Sequence, residues 1–559
     1  MFVLGLTGLF LLNSWKRDFF DADEALFAEV CRGIEGGSWI IPELEGPYLD
    51  LPPLAFWLPA GLHKLTGLDP RIAYRIPTAL AAALSLSLTY LLGRRLFDGR
   101  IGFLALLIQG STAYFFVRAS WLDDDLQFAA WTQLAMTSFA LATRPTVKPF
   151  AAWIGWAGLG LAALTKSGLL AGVLVAATLI LFLFFEGGLG AVRFGLKRLH
   201  VGSGIPIFLL ITLPWFVLAA WRAGPELYSD HLVASHLRRI WGSPADAQPP
   251  YFYPVFLLGA FLPWTLVVPL GLLHGKDRLR RHGERLAFTW VVVALVLLTF
   301  ASAKRPAYAL VVWPPLAVLI AAGLFETKEW FTVWEDFLRE GVFGIVPVLL
   351  KVPLALAVVA AGGYFGGYFA KIEDDRVQAL LAQKEACIWA LAIAGGAGAV
   401  LFLASGRVRK LVASKDVTRA AYELACASLL LFSAATFFFP AANPFGSSRD
   451  AIEKLAASIP DGARVAVYGQ KRPQVFYYLG PGRKPFHLKR PDPDVMASSN
   501  QDFQAIDSHL KQPGPACLIT SAAELEALRA QFASLTPHLN VRAAARTGFR
   551  DELVLVVNR

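Results

Sequence analysis

The sequence predicts a mainly α-helical polytopic membrane protein of about thirteen spans, followed by a small C-terminal α/β domain. Three observations carry this prediction. Of the 559 residues, 56% are hydrophobic and only 17% charged, and the mean hydropathy of +0.51 is too high for a water-soluble globule. Apolar runs close to the ~20 residues that cross a bilayer recur from the N-terminus to Pro440. Beyond that point the runs stop and short apolar stretches take over. Residues 1–440 therefore read as a membrane domain with large outward loops at 16–71 and 222–251, and residues 441–559 as a soluble domain.

Met1–Trp15 is apolar but short, with neither a charged N-terminal region nor a small-residue cleavage site, so it reads as an uncleaved first span. Its shortness leaves the natural start open. Further spans are expected at Ile72–Phe97, Ile101–Arg118, Asp123–Ala142, Phe150–Leu164, Gly168–Phe185, Val201–Trp221, Phe252–Leu273, Leu286–Ala303, Pro306–Phe325, Gly341–Phe365, Cys387–Ala404 and Arg419–Phe439. In the tail, Ser448–Ile459 reads as a capped amphipathic helix. Ala463–Tyr468 reads as a buried strand, Gln474–Leu479 as a second short element and Leu553–Val557 as a closing strand.

Charge orients the spans. One alternate set of loops holds Arg94, Arg95 and Arg100, then Arg193, Lys197 and Arg198, then the basic cluster Lys276–Arg285 and Arg407–Lys415. The short loops of the other set are poor in Lys and Arg. The positive-inside rule puts the first set and the N-terminus in the cytoplasm, and the acidic first loop, the 222–251 loop and the tail outside. The same loops account for the net charge of +10, and no nucleic-acid recognition motif accompanies it. Cys31, Cys387, Cys426 and Cys517 lack C-x-x-C spacing, so neither a zinc ribbon nor a disulfide framework is expected.

Three outward clusters carry possible chemistry, because ionisable groups beside a bilayer are costly and usually functional. Asp21–Trp57 holds eight acidic residues, Asp21, Asp23, Glu24, Glu29, Glu35, Glu43, Glu45 and Asp50, and its first cluster is Asp21–Glu24. The plain alternative for that cluster is a solvated turn capping the helix that starts near Ala25. Ser120–Leu126 holds Asp123, Asp124 and Asp125, whose mutual repulsion calls for a cationic partner or a raised pKa. Tyr228–Arg239 holds His231, His236, Arg238 and Arg239, which suit a phosphate, a lipid headgroup or a metal. Asp50 with His236 is a candidate pair for a divalent metal, a sparse ligand set. Lys304, Arg305 and Tyr308 open a later span from the same face, and Lys166 ends another; a lysine there can also simply snorkel to the interface.

The ordered set D-E-A-x-x-A-E (Asp23–Glu29), S-W-I-I-P (Ser38–Pro42), Y-L-D-x-P-P-L-x-F-W (Tyr48–Trp57), R-I-P-T-A-L (Arg75–Leu80), L-D (Leu122–Asp123), L-T-K-S-G (Leu164–Gly168) and K-x-P-x-Y (Lys304–Tyr308) resembles the aminoarabinose (lipid A) transferase branch of the dolichyl-phosphate-mannose protein mannosyltransferase family. These are GT-C type membrane glycosyltransferases. The resemblance covers about Asp18–Leu316 and implies catalytic carboxylates at Asp23 and Asp123, with Glu24 beside the first. It also places the K-x-P-x-Y motif on Lys304, Pro306 and Tyr308 and implies donor contacts at Lys304, Tyr308 and Trp57, the last on an aromatic interfacial helix at Pro52–Trp57, with a bacterial inner-membrane location and a periplasmic tail. Similar proteins read E-K-P where this chain has Asp50-Leu51-Pro52, and Glu-His where it has Ser235-His236. The phosphate-binding lysine is thus replaced by leucine, and donor phosphate binding shifts to Arg238, Arg239, Lys304 or Arg305.

Outside the cytoplasmic membrane there are no nucleotide sugars, so the donor implied is a polyprenyl-phosphate-linked sugar and no nucleotide is expected. The leaving group is already a phosphate; cations must neutralise its developing charge. A carboxylate must take the acceptor's proton or orient an anionic acceptor. A lipid A-like lipid, a glycan or a protein hydroxyl would each fit. A lipid or sugar flippase is the alternative from another class, though the chain shows neither an inverted repeat nor paired broken helices.

Overall fold

The computed structural model describes residues 2–20, 22–44, 46–225, 248–268, 282–301, 304–326, 384–414, 416–438, 447–469, 473–480, 485–489, 499–511, 513–531, 540–547 and 551–558, with isolated positions 351, 359, 443 and 483. Asp21, Glu45, His231, His236, Arg238, Arg239 and, apart from positions 351 and 359, the expected span Gly341–Phe365 lie outside the described residues.

The N-terminal half is built from helices α1 (Phe2–Phe10), α2 (Ala22–Glu35), α3 (Leu54–Thr66), α4 (Pro70–Ala73), α5 (Ile76–Leu96), α6 (Gly99–Gly110), α7 (Ala113–Ala119), α8 (Asp124–Ala142), α9 (Phe150–Thr165), α10 (Gly168–Arg198) and α11 (Val201–Ala223). After them come α12 (Phe252–Ala260), α13 (His282–Phe300), a 3-10 turn at Pro306–Val312 leading into α14 (Trp313–Glu326), α15 (Lys384–Ala413) and α16 (Val417–Ala435). Among the described residues, five continuous helices are long and apolar enough to cross a membrane, and the pair α6 and α7 makes a sixth.

Most expected spans appear as helices, with several departures: Met1–Trp15 is helical only over Phe2–Phe10, and Phe252–Leu273 only to Ala260, before a 3-10 turn at Trp264–Val267. Ile101–Arg118 is two helices bent by 73°, because Ser111 and Thr112 turn their hydroxyls onto the carbonyls of Leu107 and Gln109 and end the first one. The span beginning at Gly168 continues to Arg198 past a break at Gly187 and Gly188. Gly188 has φ +61 and ψ −153, a conformation open essentially to glycine alone. Beyond it the chain folds back, so that a Cβ on Gly195 would lie 2.4 Å from Leu183 Cδ1. The span expected at Pro306–Phe325 opens with 3-10 geometry before becoming α-helical.

Where water supplies no hydrophobic drive between helices, close packing and internal polar bonds hold them together. A Cβ on Gly93 would lie 2.6 Å from Gly102 Cα, so glycine lets α5 and α6 touch along their backbones. Beside that contact Ser85, Gln133, Thr89 and Gln109 close a ring: Ser85 Oγ donates to Gln133 Oε1 (2.6 Å), Gln133 Nε2 to Thr89 Oγ1 (2.9 Å), Thr89 Oγ1 to Gln109 Oε1, and Gln109 Nε2 to Ser85 Oγ (2.7 Å). Each buried hydroxyl both donates and accepts within the ring, so α5, α6 and α8 are tied without an orphaned hydroxyl.

In the tail, α17 (Arg449–Ala457), α18 (Pro473–Tyr478), α19 (Ser499–Lys511) and α20 (Ala522–Gln531) accompany strands β1 (Arg464–Gly469), β2 (Phe486–Lys489), β3 (Ala516–Ser521), β4 (Asn540–Thr547) and β5 (Asp551–Val557). The sheet order is β2-β1-β3-β5-β4, parallel across its first three strands and antiparallel at β5 and β4. Helices cover both faces, which is why A-R-V-A-V-Y is apolar almost throughout. Val465 and Val467 pack with Ile452 and Leu455, while Ala466 and Tyr468 pack with Ile506 and Leu528. Gln474–Leu479, read only as a short element, lies mostly in α18. The expected serine cap of α17 comes from Ser447, whose Oγ accepts from Arg449 N–H at 3.1 Å, since Ser448 is not extended (φ −94, ψ 7).

Candidate active site

The start of α2 is held by its own third residue. Glu24 Oε2 accepts from Phe20 N–H at 3.2 Å, a reach-back of the capping-box kind. The same carboxylate accepts from Arg17 Nη2 (3.2 Å), from Arg75 Nε and Nη2 (both 3.0 Å) and from Leu122 N–H (2.9 Å). Burial, the largest single effect, pushes the carboxyl's pKa up. The Arg75 and Arg17 charges and the hydrogen bonds outweigh it and hold the pKa at about 2. Glu24 was expected among the catalytic carboxylates. Its oxygens are instead spent on these donors inside the fold, so it ties the first loop to α5 and to the turn before α8.

That turn is the acidic Ser120–Leu126 cluster, and each of its three carboxylates has a cation or a cap. Asp123 Oδ1 accepts from Asp125 N–H (2.7 Å) and Leu126 N–H (3.3 Å), capping α8. Its other oxygen pairs with the Arg118 guanidinium. Lys166, at the end of α9, donates to Asp124 at 2.8 Å and pairs with Asp125. Ligand oxygens of Asp123, Asp124 and Asp125 all lie within 4.8 Å of one another, and Arg118 and Lys166 answer the repulsion the sequence foretold.

The Lys166 ammonium stands 5.0 Å from the centre of the Tyr308 ring. This brings the K-x-P-x-Y segment to the acidic turn. Three residues earlier, Arg305 lies 3.8 Å from Asp23, with side chains 55% and 60% exposed. Tyr253 steadies the segment by donating to the Arg305 carbonyl at 3.3 Å. Lys304 is buried and donates to the Ala301 carbonyl at 2.8 Å. Asp23, Arg305, Lys304, Tyr308, Lys166 and the Asp123–Asp125 turn therefore form one neighbourhood drawn from four distant stretches.

One expected donor contact sits differently, and the position of the missing lysine is filled. Trp57 donates its indole N–H to Trp39 O at 2.7 Å and packs within the loop's apolar clusters, so its polar edge serves the loop's own fold. Leu51, standing where the motif resemblance implies lysine, is buried with Phe19, Phe27 and Phe56. The substitution is thus matched by an apolar cluster and not by an empty charged seat. Asp50 is half-buried beside it; its expected metal partner His236 and the basic pair Arg238 and Arg239 lie outside the described residues.

Sequence reading missed Arg17 and Arg75 as partners of Glu24. Their signal was a basic residue close before the acidic loop and another opening R-I-P-T-A-L. Lys166 was noted as a motif residue and an outward cation that could also snorkel, but not as the partner of Asp124 and Asp125.

Residues 50–217 match the family model for dolichyl-phosphate-mannose-protein mannosyltransferase. Undecaprenyl phosphate-alpha-4-amino-4-deoxy-L-arabinose arabinosyl transferase 1 of Pseudomonas fluorescens is 29% identical over 327 residues, 57% of this chain and 58% of the relative. Transferase 2 of that name from Proteus mirabilis is 31% identical over 326 residues, 56% of this chain and 57% of the relative. The chain thus spans somewhat over half the length of these curated relatives. Among solved structures, ArnT from Cupriavidus metallidurans bound to undecaprenyl phosphate superposes with a TM-score of 0.75 at 21% identity, covering 100% of this chain and 97% of that one. The Archaeoglobus fulgidus oligosaccharyltransferase gives 0.56 at 13% identity, over 94% and 70%. By sequence over residues 50–217 the chain is similar to the dolichyl-phosphate-mannose-protein mannosyltransferases, and along its whole length it shares the fold of the solved membrane transferase ArnT.

Proposed function

We propose that the protein is an integral-membrane transferase that moves a sugar from a polyprenyl-phosphate donor to an acceptor outside the cytoplasmic membrane. The observation that carries this reading is the half-exposed Asp23 carboxylate 3.8 Å from the half-exposed Arg305 guanidinium, with Lys304 next in the chain. A base for the acceptor and cations for the leaving phosphate stand side by side. The match to transferases named for undecaprenyl phosphate-alpha-4-amino-4-deoxy-L-arabinose supports the donor class, and a lipid A-like acceptor is proposed from the motif resemblance.

In the proposed reaction the acceptor oxygen attacks the anomeric carbon, and the bond from that carbon to the phosphate oxygen breaks. Polyprenyl phosphate leaves with the electron pair, its charge met by Lys304 and Arg305. Asp23 takes the proton of a hydroxyl acceptor; a phosphate acceptor is already anionic, and Asp23 then orients it. One displacement inverts the anomeric centre. Asp123, tied to Arg118 and capping α8, fixes the floor of the site. Arg238 and Arg239 are assigned to the donor phosphate, and Asp50 with His236 to any divalent cation, which would add phosphate neutralisation. About thirteen spans, a cytoplasmic N-terminus and an extracytoplasmic tail in the bacterial inner membrane complete the reading.

The test is a purified protein offered radiolabelled undecaprenyl-phosphate aminoarabinose and lipid A. Label moving to lipid A supports the proposal. Lipid movement without transfer in vesicles would replace it with a flippase.

A further inference from the structure

The backbone just ahead of Asp23 is held by the tail. Phe19 N–H donates to Tyr478 Oη at 2.9 Å, and the carbonyls of Phe19 and Phe20 accept from Gln474 Nε2 at 3.3 and 3.0 Å. Gln474 is itself oriented, because its Oε1 accepts from Ser448 N–H at 2.9 Å. One residue earlier, Asp18 N–H donates to Asn443 Oδ1 (3.2 Å), and its carboxylate meets Arg449 at 3.3 Å. Farther along α2, Arg32 reaches back to the carbonyls of Tyr477 (2.7 Å) and Phe476 (2.9 Å) at the end of α18. One six-residue helix of the tail thus grips both the entry to α2 and its third turn.

The grip falls where the site most needs it. Asp23 is 60% exposed, so burial does little to set where its carboxylate points. That is set by where α2 begins. The entry to α2 is in turn fixed through Asp18, Phe19 and Phe20, a stretch without helical structure between the 3-10 turn Ser14–Lys16 and α2. Free, such a stretch carries ~1–2 kcal/mol of backbone entropy per residue. A displacement of about 1 Å at a reacting group can cost roughly a hundredfold in rate. The tail's contribution is also placed at a telling edge: β1, flanked by the parallel β2 and β3, leads at its carboxyl end toward α18. That edge is where open α/β sheets commonly hold ligands, and here it leads to the helix that holds the catalytic segment's backbone.

We infer that α18 is a latch, with Gln474 and Tyr478 as positioning residues that set Asp23 for transfer; this rests on the transferase reading above. The experiment uses the full-length protein with Gln474→Ala, Gln474→Glu and Tyr478→Phe, the last removing one oxygen while keeping the ring's packing. Turnover with undecaprenyl-phosphate aminoarabinose and hydrogen exchange of peptides covering residues 18–26 are read in parallel. The expected result is a kcat lowered roughly 10- to 100-fold, a donor KM within about twofold of wild type, and faster exchange at 18–26, with exchange in β3 unchanged. Adding Gln474→Ala to Asp23→Asn should lower the residual turnover no further, because the latch acts through Asp23. Unchanged kcat, a loss confined to KM, or unchanged exchange at 18–26 overturns the latch. A wild-type protein that transfers no sugar overturns the transferase reading instead, and the exchange data then decide the latch alone.

Discussion

Glu24 and Arg75 are joined twice, Nε to Oε1 and Nη2 to Oε2, each at 3.0 Å, and neither side chain is more than 1% exposed. A planar guanidinium matched edge-on to a carboxylate is a directional joint, and Arg17 adds a second cation to the same carboxylate. Replacing Glu24 by Gln leaves two buried guanidinium groups without this counter-charge. The expected cost is about 3–5 kcal/mol, read as a lower midpoint in thermal unfolding in detergent, with Asp23 chemistry lost only as a consequence.

The same carboxylate sets an acid limit. Its pKa is lowered from 4.5 unfolded to about 2 folded, so the stability it contributes is fully present above pH 4.5 and is lost as pH falls toward 2. The loss amounts to about 3 kcal/mol. Thermal midpoints measured from pH 6 down to pH 2.5 should fall through this window in the wild type and less steeply in Glu24→Gln.

Asp23→Asn removes the proposed base while keeping the side chain's size and leaving the Glu24 joint intact. Turnover on a hydroxyl acceptor should fall by roughly 10²–10⁴ with donor affinity near wild type. Purified variant showing wild-type turnover would remove Asp23 from the mechanism.

Lys304 and Arg305 differ in burial and should differ in effect. Lys304→Ala and Arg305→Ala are each expected to raise the donor KM, the buried Lys304 more, since a charge shielded from water acts through a lower dielectric. Equal and unchanged KM values for both would place the donor phosphate on Arg238 and Arg239.

Leu51→Lys introduces the residue that the motif resemblance implies, yet it would put an ammonium among Phe19, Phe27 and Phe56. A lower thermal midpoint and no gain in donor affinity are expected. Tighter donor binding would show that the cluster can open.

Much of this protein was legible in the linear chain because its determinants are local. Hydropathy runs near the span length foretold helices such as Val201–Ala223 and Phe150–Thr165, and apolar stretches without polar alternation foretold β1 and β5. The acidic turn was visible as three adjacent aspartates, and their need for a cationic partner or a raised pKa followed from Coulomb repulsion alone. What tertiary structure decided was who answers whom. Only folding brings Lys166 to Asp124, Arg305 to Asp23 and Leu122 to Glu24, because these pairs join elements far apart in sequence, and no local periodicity encodes such a meeting. Folding also parted the two neighbours that looked alike: a helix turns successive residues about 100° apart, so Asp23 faces solvent and Arg305 while Glu24 turns inward to Arg17 and Arg75.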